Sequence, residues 1–265
     1  MFNLPNLFTA ANLFCGVIAT FLAMNGRIDL APFFIIGGLL FDFFDGFLAR
    51  KLQLTGELGK QLDSLADMVT FGVAPGAIIF SVLVVINEPS YLELYDVHAA
   101  THYALGKWFM NISNSIVANP FPVLALFIPF FSLFRLAKFN LDSRQSQSFI
   151  GLPTPAHSLF YLSFPLVLCY GEAGFGMDFS LMKYVFNPYV IIACIAVLSV
   201  MTVSELPLFS LKFKTFGFAE NKIRYIFLLI SLGLIIFFQA WSLALIVFLY
   251  LILSVIENIL QKEKS

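Results

Sequence analysis

Apolar residues run along this chain in blocks too long for a water-soluble core. Eight blocks stand out, at roughly 4–24, 30–50, 62–86, 121–139, 153–171, 187–204, 223–239 and 240–258. Each approaches the ~20 apolar residues that carry a helix across a bilayer. Helices are the expected form, because a span must satisfy every backbone polar group within itself. Blocks seven and eight meet at a very short turn near Gln239–Trp241. The fold expected is an all-α polytopic membrane protein with about eight transmembrane helices. The first block starts at residue 4 with no basic stretch before it and no small-residue cleavage site, so it is expected to stay as a helix.

Composition agrees with the pattern. Of 265 residues, 60% are hydrophobic and 12% charged, with 33 phenylalanines. Mean hydropathy is +0.90. A soluble domain carries about twice that share of charge. The net charge of −1 gives no basis for a nucleic-acid partner.

The cations test the topology. With the N-terminus in the cytoplasm and eight crossings, the inner segments hold Arg50, Lys51, Lys60, Arg135, Lys138, Arg144, Lys212, Lys214, Lys222, Arg224, Lys262 and Lys264. The outer segments hold Arg27, Lys107 and Lys183. Twelve against three is a strong positive-inside bias. Both termini are therefore expected in the cytoplasm.

Cys15, Cys169 and Cys194 all fall inside spans without metal-type spacing, as small buried residues do. The long connection at about 87–120 is rich in aromatic residues and is expected to hold an interfacial helix. His98 and His102 stand i, i+4 there, a spacing open to a metal pair but more simply a solvated face.

Charge concentrates in "FDFFDGFLARKLQLTGELGKQLDSLAD", residues 41–67. Asp42 and Asp45 are i, i+3 at the inner end of span two; Asp63 and Asp67 are i, i+4 at the start of span three. Each pair shares one helix face. A short turn joins the helices, so four carboxylates aim at one point. Unpaired, they would repel. A divalent cation resolves this, and all-oxygen ligation suits magnesium, manganese or calcium. The alternative, surface carboxylates paired with Arg50, Lys51 and Lys60, explains one or two aspartates but not two pairs at matched spacing. Gly46, small Ala49 and the forked donor Arg50 beside such a site fit a phosphate-bearing ligand.

The run Asp42-x-x-Asp45-Gly46-x-x-Ala49-Arg50, eight residues, then Gly59-x-x-x-Asp63-x-x-x-Asp67 resembles the signature of the CDP-alcohol phosphotransferase family. The resemblance implies transfer of a substituted phosphoryl group from a CDP-linked donor to an alcohol. It implies Mg²⁺ or Mn²⁺ held by Asp42, Asp45 and Asp63, with Asp67 at the metal as general base. Gly46 and Arg50 would contact the donor, with Ala49 and Gly59 in the same signature. Members often carry Ser or Thr where this chain has Gly56, and Thr55 stands beside it.

"LPNLFTAANLFCG", "GKQLDSLADMVTFGVAPG", "FRLAKFN" and "FIGLPTPAH" look like the phosphatidylserine synthase branch of that family. The branch places Pro5 and Asn6 beside the nucleotide, although Asn6 also reads as a helix cap. Its usual form is closer to "RLARFN", so Lys138 departs from it. The implied donor is CDP-diacylglycerol and the implied acceptor L-serine, with Arg135, Lys138 and Asn140 as acceptor residues. The first two also read as positive-inside anchors. Glycerol 3-phosphate, choline or an inositol phosphate are rival acceptors. An ion-coupled transporter is the rival class, but its site should lie at mid-membrane. The resemblance further implies a multi-pass protein of the cell (inner) membrane, facing the cytoplasm and forming a homodimer. Gly72-x-x-x-Gly76 would pack helices within or between chains. Two units follow: residues 1–204 as the catalytic membrane domain and 205–265 as an extension with two spans.

Overall fold

The computed structural model describes residues 3–88, 96–142, 149–171, 184–209, 217 and 221–262. Five cations of the topology argument, Arg144, Lys183, Lys212, Lys214 and Lys264, lie outside them, as does 89–95 of the long connection.

Helix α1 (Leu4–Met24) opens on a cap: the Asn3 side chain accepts from the Asn6 N–H, and Pro5 sits in the first turn. Its buried positions are Pro5, Thr9, Asn12, Gly16, Ala19 and Ala23, alternating in steps of four and three. That is one straight seam, and all its members are small or polar. Small seams let helices approach closely. A Cβ on Gly16 would overlap Thr70, and one on Gly38 would lie 2.6 Å from Thr70 Cγ2 and 2.9 Å from Asn12 Oδ1.

Helix α2 (Ala31–Lys51) returns antiparallel and ends on Arg50 and Lys51, cations suited to a helix C-terminus. At its start, Arg27 forks onto Asp29 with both N–O distances 2.9 Å. Helix α3 (Glu57–Asp67) continues through a π-helical stretch, Met68–Val73, into α4 (Ala74–Val85). Polar residues occupy the α3 half. The α4 half is the centre of the bundle, with Ile78, Ile79, Val82 and Leu83 fully buried.

Helices α5 (Val97–Met110) and α6 (Ile112–Ala118) fill the long connection. Trp108 does not face outward there: it is buried, edge-on to Phe80 at 5.0 Å. His98 and His102 have ring centroids 6.4 Å apart, and His102 Nδ1 meets the Asn25 carbonyl at 3.2 Å. Helix α7 (Phe121–Leu124) leads into α8 (Phe127–Leu141). Gly72 and Gly76 are filled from within the chain, by Ser132 and Pro129 of α8.

Helix α9 (Thr154–Tyr170) is followed by α10 (Pro188–Val203), α11 (Lys222–Phe238) and α12 (Ser242–Lys262). The tight turn between α11 and α12 puts Gln239 at a positive φ of 43°. All eight apolar blocks thus coincide with helices; five helical runs are long and apolar enough to cross a membrane, and Pro188–Val203 is a shorter apolar helix. The protein is a multi-pass helical membrane protein. Among the described residues, Arg50, Lys51, Lys60, Arg135, Lys138, Lys222, Arg224 and Lys262 fall at one end of this helix order, while Arg27 and Lys107 fall at the other.

A two-residue clasp joins the halves. Strand β1 (Phe149–Ile150) pairs antiparallel with β2 (Pro207–Leu208). Gly151, at φ 77°, donates its N–H to Leu206 O at 2.8 Å, and Leu152 donates to Met201 O at 3.0 Å. A side chain at Gly151 would strike the Thr202 carbonyl. The clasp fixes the loop that begins α9.

Candidate functional site

The end of α2 and the start of α3 converge as the aspartate spacing requires. Asp42, Asp63 and Asp67 each offer a carboxylate oxygen, and the three oxygens lie within 4.8 Å of one another. Asp45 stands one turn further along α2, buried, and accepts from Thr9 Oγ1 at 2.7 Å. Asp67 accepts from Asn12 Nδ2 at 3.1 Å through Oδ1. Helix α1 therefore orients one carboxylate from each of the other two helices.

The π-helical stretch begins at the residue after Asp67. Such a bulge adds a residue to one turn and re-phases the helix beyond it. Here it separates the face that carries Asp63 and Asp67 from the packing of α4. Within it, Thr70 Oγ1 donates to the Asn12 carbonyl at 2.9 Å, tying the bulge to α1.

The donor set fits a hard divalent cation. Asp63 Oδ1 is buried with no hydrogen-bond partner. Among the described residues the ion pairs are Arg27–Asp29, Lys107–Glu88 and Lys138–Glu205, so none of the four aspartates is held in one. Three carboxylates at this separation repel unless a positive charge lies between them. Oxygen-only ligation selects the magnesium, manganese or calcium class.

Two cavities flank the cluster and share Asp45, Gly46, Arg50 and Asp63. The first, about 260 Å³, is lined by Pro5, Asn6, Gly46, Ala49, Arg50, Thr55, Gly56 and Gly59, together with Thr9 and Lys60. Every residue expected to face the CDP donor is on that one wall. The Arg50 guanidinium lies over Gly46, where a Cβ would sit 3.4 Å from Nη1. Nothing stands within 4 Å of a Cβ built on Gly56, so that side is open.

The second cavity, about 270 Å³, holds all four aspartates, Arg135, and Pro153 to Pro155 from the loop that begins α9. Arg135 is 3% exposed, its Nε has no partner, and its guanidinium stacks on Phe139 at 4.9 Å. The other two expected acceptor residues point elsewhere. Lys138 donates to Glu205 at 2.5 Å and to the Val203 carbonyl at 3.3 Å. Asn140 donates to Ser64 Oγ at 2.8 Å, and its carbonyl accepts from Lys60 at 2.7 Å. Neither lines the cavity. They knit the rim, whereas Arg135 enters it.

Family comparison gives the same outline. The CDP-alcohol phosphatidyltransferase model matches residues 2–183. The chain belongs to this family. As a CDP-alcohol phosphatidyltransferase it is similar to the CDP-diacylglycerol–serine O-phosphatidyltransferase of Bacillus subtilis, 34% identical over 64% of this chain and 82% of that protein. It is 33% identical to the protein of that name from Helicobacter pylori over 64% of this chain and 57% of the relative. The archaetidylserine synthase of Methanothermobacter thermautotrophicus is 30% identical over 64% of this chain and 60% of that protein. The chain thus aligns with under two thirds of the length of the latter two. The family match ends before α10, so the site described above lies within it and the last three helices lie beyond.

Thr9 and Asn12 are the site residues that sequence reasoning missed. Their signal was present: two polar residues i, i+3 inside an apolar span, a costly placement unless each finds a partner. Lys60, Ser64 and Thr154 also line the cavities without having been singled out for that role.

Proposed function

We propose that the chain transfers a phosphatidyl group from CDP-diacylglycerol to L-serine, giving phosphatidylserine and CMP. The observation that carries this reading is the division of one acidic cluster between two cavities. One has a glycine-and-arginine wall suited to a nucleotide diphosphate. The other adds Arg135, a buried guanidinium whose Nε has no partner, suited to a carboxylate. The relatives named above, two of them named for transfer to serine, support the same choice.

A divalent ion, Mg²⁺ or Mn²⁺, would be held by Asp42, Asp63 and Asp67, with Asp45 beside them; when bound, it neutralises the diphosphate and stabilises the departing CMP. The protein's own residues do the rest. Arg50 and Lys60 face the phosphates, and Asn6 and Pro5 close the nucleotide side. Arg135 receives the serine carboxylate through its free Nε and fork. Asp67 accepts the serine hydroxyl proton. The new bond forms between that oxygen and the phosphorus bearing diacylglycerol. The bond to the CMP oxygen breaks, and CMP leaves with the electron pair. Asn12 occupies Asp67 Oδ1, which leaves Oδ2 for this work.

The positive-inside bias supports an active site and termini in the cytoplasm of a cell (inner) membrane. CDP and serine then arrive from water while the acyl chains stay in lipid. Residues 1–204 form the catalytic domain in this reading, and 205–265 the extension. A homodimer would use a face other than Gly72–Gly76, which α8 already fills.

The test is release of labelled CMP by purified protein given CDP-diacylglycerol and, in parallel, serine, glycerol 3-phosphate, choline or an inositol phosphate. Serine should be preferred. Preference for another acceptor overturns the acceptor and leaves the chemistry; no release with any of them overturns both.

A further inference from the structure

A third cavity, about 380 Å³, lies one helical turn deeper than the acidic cleft. Two elements lead into it. On α2, Leu39 lines the deep cavity, while Asp42 and Phe43, three and four residues later on the same face, line the cleft. On the other side, Pro153 and Pro155 line both, and Ala156 and Leu159 continue down α9 into the deep one. The cleft and the cavity therefore adjoin across the Pro153–Pro155 loop, one polar and the other apolar.

The far wall comes from the last two helices: Phe227 of α11, and Ile246, Val247 and Tyr250 of α12. These residues lie beyond the family match. The lining is apolar apart from the Tyr250 hydroxyl, which donates to the Phe209 carbonyl at 2.9 Å and is thereby used. An apolar cavity adjoining a cleft suited to phosphate matches a molecule with a phosphate head and a hydrocarbon tail.

We propose that this cavity holds one acyl chain of the lipid donor, and that α11 and α12 set the chain length the enzyme prefers. The inference rests on the reading of the cleft as the CDP-diacylglycerol site. Lipid is as apolar as the cavity, so moving a chain between them yields little hydrophobic free energy. Discrimination instead comes from fit. A chain too short leaves a void, and one too long must bend out. A hydrophobic pocket separates ligands that differ by a methylene by roughly 10- to 200-fold at best.

The experiment compares kcat/KM across CDP-diacylglycerols of increasing saturated chain length, using full-length protein in mixed micelles. Ala156→Phe fills the cavity and should move the optimum to shorter chains. Leu159→Ala enlarges it and should move the optimum to longer ones. Opposite shifts are not the mark of general damage, and a profile within one preparation does not depend on how much protein folds. If Ala156→Phe yields no active protein, Leu159→Ala with Val247→Ala decides alone. Variant profiles that superimpose on the wild type overturn the inference while wild-type turnover keeps the donor assignment. Wild-type protein that releases no CMP from any member of the series overturns the donor assignment and the inference with it.

Discussion

Asn12 on α1 and Asp67 on α3 are joined by one hydrogen bond across 55 residues of chain, Nδ2 donating to Oδ1 at 3.1 Å. Asn12 is completely buried. Its amide holds one carboxylate oxygen and so aims the other. Asn12→Ala should lower kcat by about 10- to 100-fold, the range for a residue that orients a metal ligand. KM for CDP-diacylglycerol should change little. Asn12→Asp should be worse, because it sets a carboxylate against a carboxylate. Steady-state CMP release checks both; an unchanged kcat in Asn12→Ala refutes the orienting role.

The acidic cluster should behave as a metal site. An amide is nearly isosteric with a carboxylate but carries no charge. Asp42→Asn, Asp63→Asn and Asp67→Asn should each lower turnover by more than about 10³-fold while the protein still inserts. Chelator should abolish wild-type activity, and Mg²⁺ or Mn²⁺ should restore it. Purified Asp63→Asn with normal turnover would sink the assignment.

Arg135 and Lys138 should separate. Losing a hydrogen bond to a charged group costs about 1.5–3 kcal/mol, or roughly 10- to 100-fold. Arg135→Ala should raise the serine KM by that factor and leave binding of the CDP donor intact. Lys138→Ala, which loses the pair with Glu205, should act mainly on stability. Equal effects of the two on serine KM would contradict the placement.

Two adjacent glycines provide a packing test. A Cβ on Gly38 meets Thr70 Cγ2 at 2.6 Å, whereas one on Gly37 meets only Cys15 Sγ at 3.8 Å. Overpacking costs about 1–3 kcal/mol, so Gly38→Ala should lower Tm by roughly 3–10 °C in detergent, and Gly37→Ala hardly at all. Similar melting of the two variants would show that α1 and α2 are less tightly seated.

Single cysteines at Gln53 and Tyr103, in a background without Cys15, Cys169 and Cys194, should react with impermeant reagents from opposite sides of the membrane. Same-side labelling would refute the topology.

The spans and the aspartates were readable because both depend on local spacing. Apolar block length is a property of the segment, and Asp42–Asp45 and Asp63–Asp67 share a face in any helix. What the sequence did not disclose depends on partners far along the chain. Lys138 reads as an acceptor residue until Glu205, 67 residues later, is seen to hold it. Thr9 and Asn12 look like tolerated polar residues until α2 and α3 are laid beside them. The bulge after Asp67 has no motif, since it trades ordinary helix hydrogen bonds for the fit of Thr70 between α1 and α2. Trp108 suited an interfacial position by type, but Phe80 offered it a buried one.

The clasp between β1 and β2 bears on how this protein can be divided. Family resemblance stops at residue 183, and a truncation there would look like removal of an appendage. It would also remove the Leu206 and Met201 carbonyls that receive the amides of Gly151 and Leu152, both buried. Each orphaned amide costs about 1–3 kcal/mol, and both belong to the loop that carries Pro153 into the cleft. The stretch that matches the family and the stretch that holds the cleft loop in place are therefore different lengths of chain.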